Sequence, residues 1–245
     1  MIGLHTIYRE KVSSTNDLAA GLLKSGSPPE GTVIYAGEQT RGRGQKGNEW
    51  VSEAGMNLIV SIILYPRFLE PEHQFMVSKV ISVSIANLLE AFSDSISIKW
   101  PNDIYHKDDK IAGILIEFSL EGNRITNCIA GAGINIRQTA FPPGLPNPVS
   151  LGMIDKGSHD TALLLKEYCS LCDYWYGLLR AGKEEKINNE YHRRLYRLNT
   201  ASSFLADNRQ LRGSIRGTDR YGRLIIDLED GTTGVYGFRE IDFIL

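Results

Sequence analysis

Apolar residues recur along the chain with two different periods. Continuous or alternating apolar runs rich in β-branched residues predict strands at 4–12, 32–37, 57–64, 96–100, 111–120 and 125–136. Wider, helical spacing of the apolar positions predicts helices at about 13–26, 71–92, 161–180 and 183–197. Several strands with a few interspersed helices predict an α+β fold, a two-layer α/β arrangement built on a mixed β-sheet.

The pattern changes near residue 199. Short strand-like segments alternate from there with glycine turns, of which Asp230-Gly231 is typical. A segment of this size is too short to be a catalytic domain of its own. We therefore predict a catalytic domain over residues 1–197 and a small C-terminal β-barrel over residues 198–245.

The bulk composition narrows the classes of function. Hydrophobic residues make up 42% of the 245 residues and charged ones 23%, the balance of an ordinary globular protein. Three cysteines are too few for a disulfide framework and point to a reducing compartment. No segment approaches the roughly 18 apolar residues that span a bilayer, and no signal-peptide pattern opens the chain. We expect a cytoplasmic protein without a membrane partner, and the net charge of −2 favours no nucleic-acid partner.

A basic, glycine-rich segment carries the most informative candidate chemistry. Gly42, Gly44 and Gly47 would let backbone amides approach an anion closely, and Arg43 and Lys46 add positive charge. The segment lacks the G-x-x-x-x-G-K-[ST] spacing of a P-loop. It fits G-x-G-x-x-G, but no amphipathic helix follows, as a dinucleotide-binding unit would require. It predicts a mobile phosphate-binding loop, with a solvated surface turn as the alternative.

Three further elements place polar groups beside predicted strands. Asn102 and Asp103 follow a hydrophobic strand and could bind Mg²⁺ or a ribose, although a strand-ending turn has the same pattern. Lys110 opens a buried strand, where an unpaired cation is costly, so a carboxylate or a phosphate is its expected partner. Glycines weaken the strand at 131–135 unless something approaches its backbone, and Asn135 would present a polar group at its end.

Together these elements resemble the catalytic domain of biotin protein ligases. They occur in the family's order over roughly residues 10–152, and the C-terminal strands look like the family's SH3-like domain, so the resemblance covers nearly the whole chain. The segments that carry it are Ser14-Thr15-Asn16, Gln39, Gly42-Arg43-Gly44, Trp50, Lys99-Trp100-Pro101-Asn102-Asp103, Lys110-Ile111-Ala112-Gly113-Ile114-Leu115-Ile116-Glu117 and Gly131-Ala132-Gly133-Ile134-Asn135.

The resemblance implies an ATP-dependent ligase. ATP would convert the biotin carboxylate to biotinyl-5′-AMP with release of pyrophosphate, and Mg²⁺ would accompany the nucleotide. A neutral lysine amine of a biotin carboxyl carrier domain would then attack, and AMP would leave. Both steps develop negative charge on oxygen, so cations and backbone amides would supply most of the catalysis without a covalent enzyme intermediate.

The resemblance also implies roles for the matched positions. Among the catalytic residues, Lys110 would hold the biotin carboxylate and the α-phosphate, Arg43 would belong to the loop over the adenylate, and Asp103 would handle metal or the acceptor lysine. Biotin would be bound by Ser14, Thr15, Asn16, Gln39, Gly42, Arg43, Gly44, Gln45, Lys110, Gly113 and Gly131. ATP would be bound by Arg43, Lys46, Asn48, Trp50, Asn102, Lys110 and Asn135.

Two features depart from the family's pattern. Gln45 stands where a second arginine is common, and glutamine cannot grip phosphate oxygens in a bidentate fork. Adenylate retention would therefore depend more on Arg43, Lys46 and Lys110. About 12 residues precede Ser13, which is too short for the helix-turn-helix of the family's repressors, so no repressor function is expected.

Other functions remain open from the sequence alone. A lipoate or octanoyl ligase or transferase resembles this superfamily's fold and also loads an acyl group onto a lysine. A non-catalytic biotin sensor or a catalytically inactive homologue would keep the same pocket. An exposed strand edge could support a homodimer or pair with the acceptor's own sheet.

Overall fold

The chain alternates strands and helices up to Arg193 and continues in strands alone. The computed structural model describes residues 1–244, apart from the side chain of Lys46. Its helices are α1 (Thr15–Ser25), α2 (Phe75–Glu90), α3 (Leu151–Ile154), α4 (Thr161–Arg180) and α5 (Glu184–Arg193), with 3-10 turns at Gln45–Gly47 and Pro71–His73. Its strands are β1 (Thr6–Val12), β2 (Thr32–Gln39), β3 (Leu58–Leu64), β4 (Ile96–Lys99), β5 (Asp103–His106), β6 (Asp109–Glu121), β7 (Arg124–Ile134), β8 (Ala201–Ala206), β9 (Arg209–Thr218), β10 (Leu224–Leu228), β11 (Thr233–Tyr236) and β12 (Asp242–Phe243).

The first seven strands form one mixed sheet in the order β1-β2-β3-β7-β6-β5-β4. β1 and β2 are parallel, and the other neighbouring pairs are antiparallel. The main hydrophobic core lies on one face, where α2 packs against the sheet and against α4 and α5. On the other face α1 packs over β2, β3 and β7, which leaves the β4–β6 side for a cleft. The predicted mixed-sheet fold is confirmed.

The central strand β3 explains how the two faces are held together. Its seven residues are all buried because the apolar run LIVSIIL is covered on both sides. Val60 and Ile62 enter the main core, whereas Ile63 packs with Ala19 and Ile129 in a smaller cluster beneath α1. Alternate side chains of one strand therefore anchor helices on opposite faces.

The last five strands form an antiparallel sheet in the order β11-β10-β9-β8-β12. It docks on the larger domain through Trp100, whose Nε1 donates to the carbonyl of Gly222 at 2.8 Å. The predicted small β-structure is confirmed, but within residues 1–244 its outer strands do not pair and no closed barrel forms. β12 is only two residues long and pairs with β8 alone. The domain boundary at residue 197 stays a prediction.

Some local expectations need correction. The strands predicted at 96–100 and 111–120 leave residues 105–109 only as part of the connection between them, but β5 runs from Asp103 through His106 because it pairs with both β4 and β6. The glycine-rich segment is not wholly irregular, since it contains a 3-10 turn and a β-bridge between Arg43 and Glu49. Helix α3 was not predicted, because four residues carry no helical period.

Candidate active site

The strand register places one row of residues across the face that α1 leaves open. Ile59 pairs with Gly133, and Gly133 pairs with Gly113. Gly113 pairs in turn with Asp103, and Asp103 pairs with Lys99. Directly paired residues point to the same face of a sheet. The row, with glycines in its middle and charges at its end, forms the base of a cleft of about 320 Å³.

A β-bulge turns Lys110 towards the same cleft. Ala112 and Lys110 pair with consecutive residues of β5, so Ile111 is an extra residue in β6. Ile111 and Ala112 both enter the hydrophobic core, which shifts the alternation of side chains by one residue. The Nζ of Lys110 consequently lies 2.7 Å from Oδ1 of Asp103.

A chain of neutral hydrogen bonds lines the end of the cleft beside α1. The Oε1 of Gln39 accepts from the backbone N of Thr15 at 2.7 Å and from its Oγ1 at 3.1 Å. The hydroxyl of Ser61 lies 2.8 Å from Oγ1 of Thr15 and 2.6 Å from Oδ1 of Asn16. The Asn16 carboxamide lies over Gly131, where a Cβ would overlap it. These groups offer donors and acceptors to a small uncharged polar ring.

The glycine-rich loop folds back on itself at the rim. The backbone N of Trp50 donates to the carbonyl of Gly42 at 3.0 Å, and the N of Gly44 donates to the carbonyl of Asn48 at 2.6 Å. Residue 42 must be glycine here, because a Cβ would overlap the carbonyl of Trp50. The fold of the loop thus depends on its small residues before any charge is considered.

Arg43 extends from this loop to two carboxylates. Its Nη1 and Nη2 donate to Oε1 and Oε2 of Glu117 at 2.9 and 2.6 Å, and its Nε lies 3.1 Å from Oδ1 of Asp17. The Arg43 side chain is 38% exposed, and that of Glu117 is 36% exposed. Ion pairs that remain this solvated are weak enough to be exchanged for another anion.

The indole of Trp50 lies across the glycines of the row. A Cβ at Gly113 would meet it at 3.0 Å, and a Cβ at Gly133 would overlap it. The Nζ of Lys110 lies 5.9 Å from the indole centroid. Among residues 1–244 the buried Nε1 of Trp50 has no hydrogen-bond partner. A buried donor without a partner is costly, which indicates a site where a ligand can supply the acceptor.

Lys99 lies where the small sheet reaches the cleft. Its Nζ donates to the hydroxyl of Tyr105 at 3.0 Å and lies 5.1 Å from the ring centroid of Phe243 in β12. Burial lowers the pKa of Lys99, as does the charge of Lys110, whereas Asp103 opposes the shift. The large and small sheets therefore meet around a partly desolvated cation.

Most of the predicted site residues come together in this cleft. Those that line it are Ser14, Thr15, Asn16, Gln39, Arg43, Gly44, Gln45, Asn48, Trp50, Asn102, Asp103, Lys110, Gly113 and Gly131. Gly42 and Asn135 do not line it, and the predicted role of Lys46 falls on a side chain outside the described part of the chain. Gly42 lies beneath its own loop.

Asn135 lies behind the row. Its Nδ2 donates to the carbonyl of Val149 at 3.0 Å, and its backbone N donates to the carbonyl of Ile111 at 2.9 Å. It therefore fixes the segment that follows β7. The pattern had indicated a polar group at a strand end, but the direction of its side chain depends on the loop packed against it.

Sequence reasoning gave no role to several residues of the site. Lys99 and Gly133 stood within the resembling segments, and the strand register could have placed both in the row. Nothing in the local pattern indicates that Ser61, the polar residue of an apolar strand, would hydrogen-bond to two residues that line the cleft. The small sheet adds residues that no local signal could assign, namely Phe238, Arg239, Ile241, Asp242 and Phe243.

The cleft thus has a neutral polar end beside α1 and a charged end beside β4 and β5. An acid whose uncharged head binds near Asn16 would direct its carboxylate towards Lys110. A phosphate at the charged end would meet Lys99 and Lys110, so the arrangement suits chemistry between a carboxylate and a phosphate. In the described part of the chain no group of three or more His, Cys, Asp or Glu side chains lies together as a metal site.

Comparisons with known proteins agree with this geometry. The model of the biotin/lipoate A/B protein ligase family matches residues 8–135, just over half of the chain. The chain is 28% identical over 226 residues to a biotin--[acetyl-CoA-carboxylase] ligase of Paracoccus denitrificans, covering 88% of this chain and 92% of that protein. A biotin protein ligase of Aquifex aeolicus, solved in complex with biotin and ATP, shares the fold with a TM-score of 0.81, 24% identity and coverage of 98% and 99%.

Longer relatives match only in part. The bifunctional ligase/repressor BirA of Bacillus subtilis is 37% identical over 139 residues, 56% of this chain and 42% of that protein. The chain therefore covers less than half the length of this relative. No helix in the described residues is both long and apolar enough to cross a membrane.

Proposed function

The chain belongs to the biotin/lipoate A/B protein ligase family, and from that premise we propose that it is an ATP-dependent biotin–protein ligase. It would form biotinyl-5′-AMP and transfer the biotinyl group to a lysine of a biotin carboxyl carrier domain. The names of its relatives support biotin as the acid and a carboxylase as the source of the acceptor.

One observation carries this proposal: the Lys110–Asp103 ion pair lines the same cleft as the neutral pocket of Thr15, Asn16 and Gln39. We place the meeting point of a carboxylate and an α-phosphate at Lys110. It would bind oxygens of both groups and stabilise the charge that develops as the acyl–phosphate bond forms. Asp103 uses one of the three N–H donors of Lys110, so a ligand phosphate can bind beside it, and a phosphate that displaces Asp103 would free this carboxylate to accept a proton from the incoming lysine amine.

The neutral end of the cleft supports biotin over a plain fatty acid. A ureido ring has two N–H donors and one carbonyl acceptor, which match the carboxamides and hydroxyls of Gln39, Thr15, Ser61 and Asn16. An octanoyl chain would form no hydrogen bonds with these groups, so it would lack their contribution to affinity.

Mg²⁺ would accompany ATP, and the remaining partners follow from the charge and the relatives of the chain. With no three-residue acidic cluster among the described side chains, Mg²⁺ would enter with ATP, held mainly by phosphate oxygens. The net charge of −2 supports the absence of a nucleic-acid partner. A homodimer and a cytoplasmic location stay predictions.

Pyrophosphate exchange tests the first half-reaction. The purified chain would be incubated with Mg·ATP and labelled pyrophosphate, with biotin or lipoate as the acid. We expect label in ATP with biotin, loss of that label in Lys110→Met, and no change in Lys166→Met, a control at an exposed position of α4. Exchange with lipoate alone would overturn the substrate, and no exchange with either acid would favour a sensor or an inactive homologue.

A further inference from the structure

Glu117 is a charged residue of β6 that has no role in the proposed reaction. It lies on β6 opposite Ile129 of β7, on the face that α1 covers. Its Oε2 accepts from Nδ2 of Asn16 at 2.7 Å and from Nη2 of Arg43 at 2.6 Å. Its Oε1 accepts from Nη1 of Arg43 at 2.9 Å. One carboxylate therefore binds a residue of the acid pocket and the arginine of the glycine-rich loop.

The Asn16 side chain has a fixed orientation at the other end of this contact. Its Oδ1 accepts from Ser61 at 2.6 Å, and its Nδ2 donates to the carbonyl of Leu115 at 3.3 Å as well as to Glu117. Turning the carboxamide over would place its oxygen against two other acceptors, the carboxylate of Glu117 and the carbonyl of Leu115. The contacts therefore form one continuous path from Gln39, through the pocket floor, to Arg43.

Arg43 cannot keep both of its carboxylate partners and also bind a phosphate through two nitrogens. Its two terminal nitrogens are engaged by Glu117 and its Nε by Asp17. A guanidinium has a limited set of donors in one plane, so a bidentate grip on phosphate requires release of at least one carboxylate. The partial exposure of this contact makes such an exchange feasible.

We propose that Glu117 is a positioning residue that docks Arg43 beside Asn16 and thereby couples the acid pocket to the phosphate-binding loop. The inference rests on the proposed function for the identity of the ligands. A ligand that draws Asn16 towards itself weakens the hydrogen bond between Asn16 and Glu117. The strength of the ion pair between Glu117 and Arg43 then changes as well. Occupancy of the pocket and the position of the loop arginine are then parts of one equilibrium.

Trypsin tests the docking of Arg43 without any ligand. We expect the Glu117→Gln variant to be cleaved after Arg43 at least about fivefold faster than the parent chain, because an undocked arginine reaches the protease more often. Glu121→Gln is the matched control: it changes an exposed carboxylate on the same face of β6, four residues further on. Equal cleavage of Glu117→Gln and the parent chain, measured by mass spectrometry of the fragments, would refute the docking.

Binding linkage tests the coupling. The Kd of a non-hydrolysable ATP analogue would be measured by calorimetry with and without saturating biotin. We expect the two values to differ by at least about fivefold in the parent chain and in Glu121→Gln, and to become nearly equal in Glu117→Gln. A merely structural role would weaken both values together and leave their ratio unchanged, which would overturn the inference. If the parent chain binds no biotin, the proposed function and the coupling fail together, while the proteolysis still decides the docking.

Discussion

Two lysines of this protein are placed in contrasting surroundings. Lys110 lies in the cleft, 31% exposed, with its Nζ 2.7 Å from the carboxylate of Asp103. Lys79 lies on α2 under the small sheet, 3% exposed, with its Nζ donating to the neutral amide oxygen of Asn188 at 2.7 Å and lying 5.2 Å from the ring centroid of Tyr191. One cation has a charged partner and water, and the other has an amide and aromatic rings.

The difference separates a lysine that is available to a ligand from a lysine that is enclosed by packing. Burial lowers the pKa of Lys79 to about 8, against weaker opposing effects of Asp219 and Glu184. Lys110 keeps a partner that a ligand phosphate can replace, so its charge is available to a substrate. Lys79 has no such exchangeable contact with solvent, and its charge is a cost that the packing of α2 against α5 tolerates.

Replacing each lysine by methionine should give the largest difference between the two positions. Lys110→Met is expected to lower the rate of pyrophosphate exchange by about 10²–10³-fold, because it removes the main cation at the reacting oxygens. The free energy of unfolding should change by only about 1 kcal/mol, since the lost ion pair is partly solvated. Exchange kinetics and urea unfolding check both expectations. A large loss of stability with normal exchange would reverse the assignment.

Lys79→Met is expected to do the opposite. The parent chain should gain about 3 kcal/mol of unfolding free energy as the pH rises from 8 to 10.5, because over that range the unfolded chain binds more protons than the folded one. The variant should lack this gain and keep normal exchange with biotin. Urea unfolding at several pH values measures it. Parallel pH profiles for the two proteins would show that Lys79 is not desolvated.

His192, which contacts Thr218 of the small sheet, should produce a corresponding change in stability at acid pH. Burial and the charge of Lys79 lower its pKa to about 4, and its Nε2 accepts from the backbone N of Thr218 at 3.1 Å. Because the unfolded chain protonates first, stability should fall as the pH drops from 6.5 to 4, by about 2–3 kcal/mol from this group. His192→Gln can still accept that bond and should remove this part of the acid loss. Thermal unfolding of both proteins at pH 7 and pH 4.5 measures the difference.

Tyr105→Phe should have the smallest effect. It removes the hydroxyl that accepts from Lys99 but keeps the aromatic ring, so we expect a loss of about 1 kcal/mol in unfolding free energy. Exchange activity should stay within a few-fold of the parent chain, since Lys110 is untouched. A collapse of activity would instead show that the hydrogen bond with Tyr105 positions Lys99 for the phosphate, and the KM for ATP would measure that effect.

The sequence determined the elements and most of the members of the site. Period-two and helical spacing predicted six of the seven strands of the large sheet and its longer helices, because these signals are local and strong, but they missed the four-residue strand β5. The glycines of the cleft were also visible, since glycine inside a strand needs a reason such as the overlap at Gly131. The pattern correctly indicated that Asn102 and Asp103 follow a strand and could belong to a site, and both line the cleft. It did not indicate that Asp103 begins a further strand, β5.

Only the tertiary structure decided how these pieces face one another. The bulge that turns Lys110 into the cleft depends on Ile111 and Ala112 sharing the core, which involves strands that pair far apart in sequence. The contacts of Asn16 and Arg43 with Glu117 span 101 and 74 residues. Side-chain direction and long-range pairing depend on the packing of the whole sheet, so the local pattern of apolar residues does not predict them.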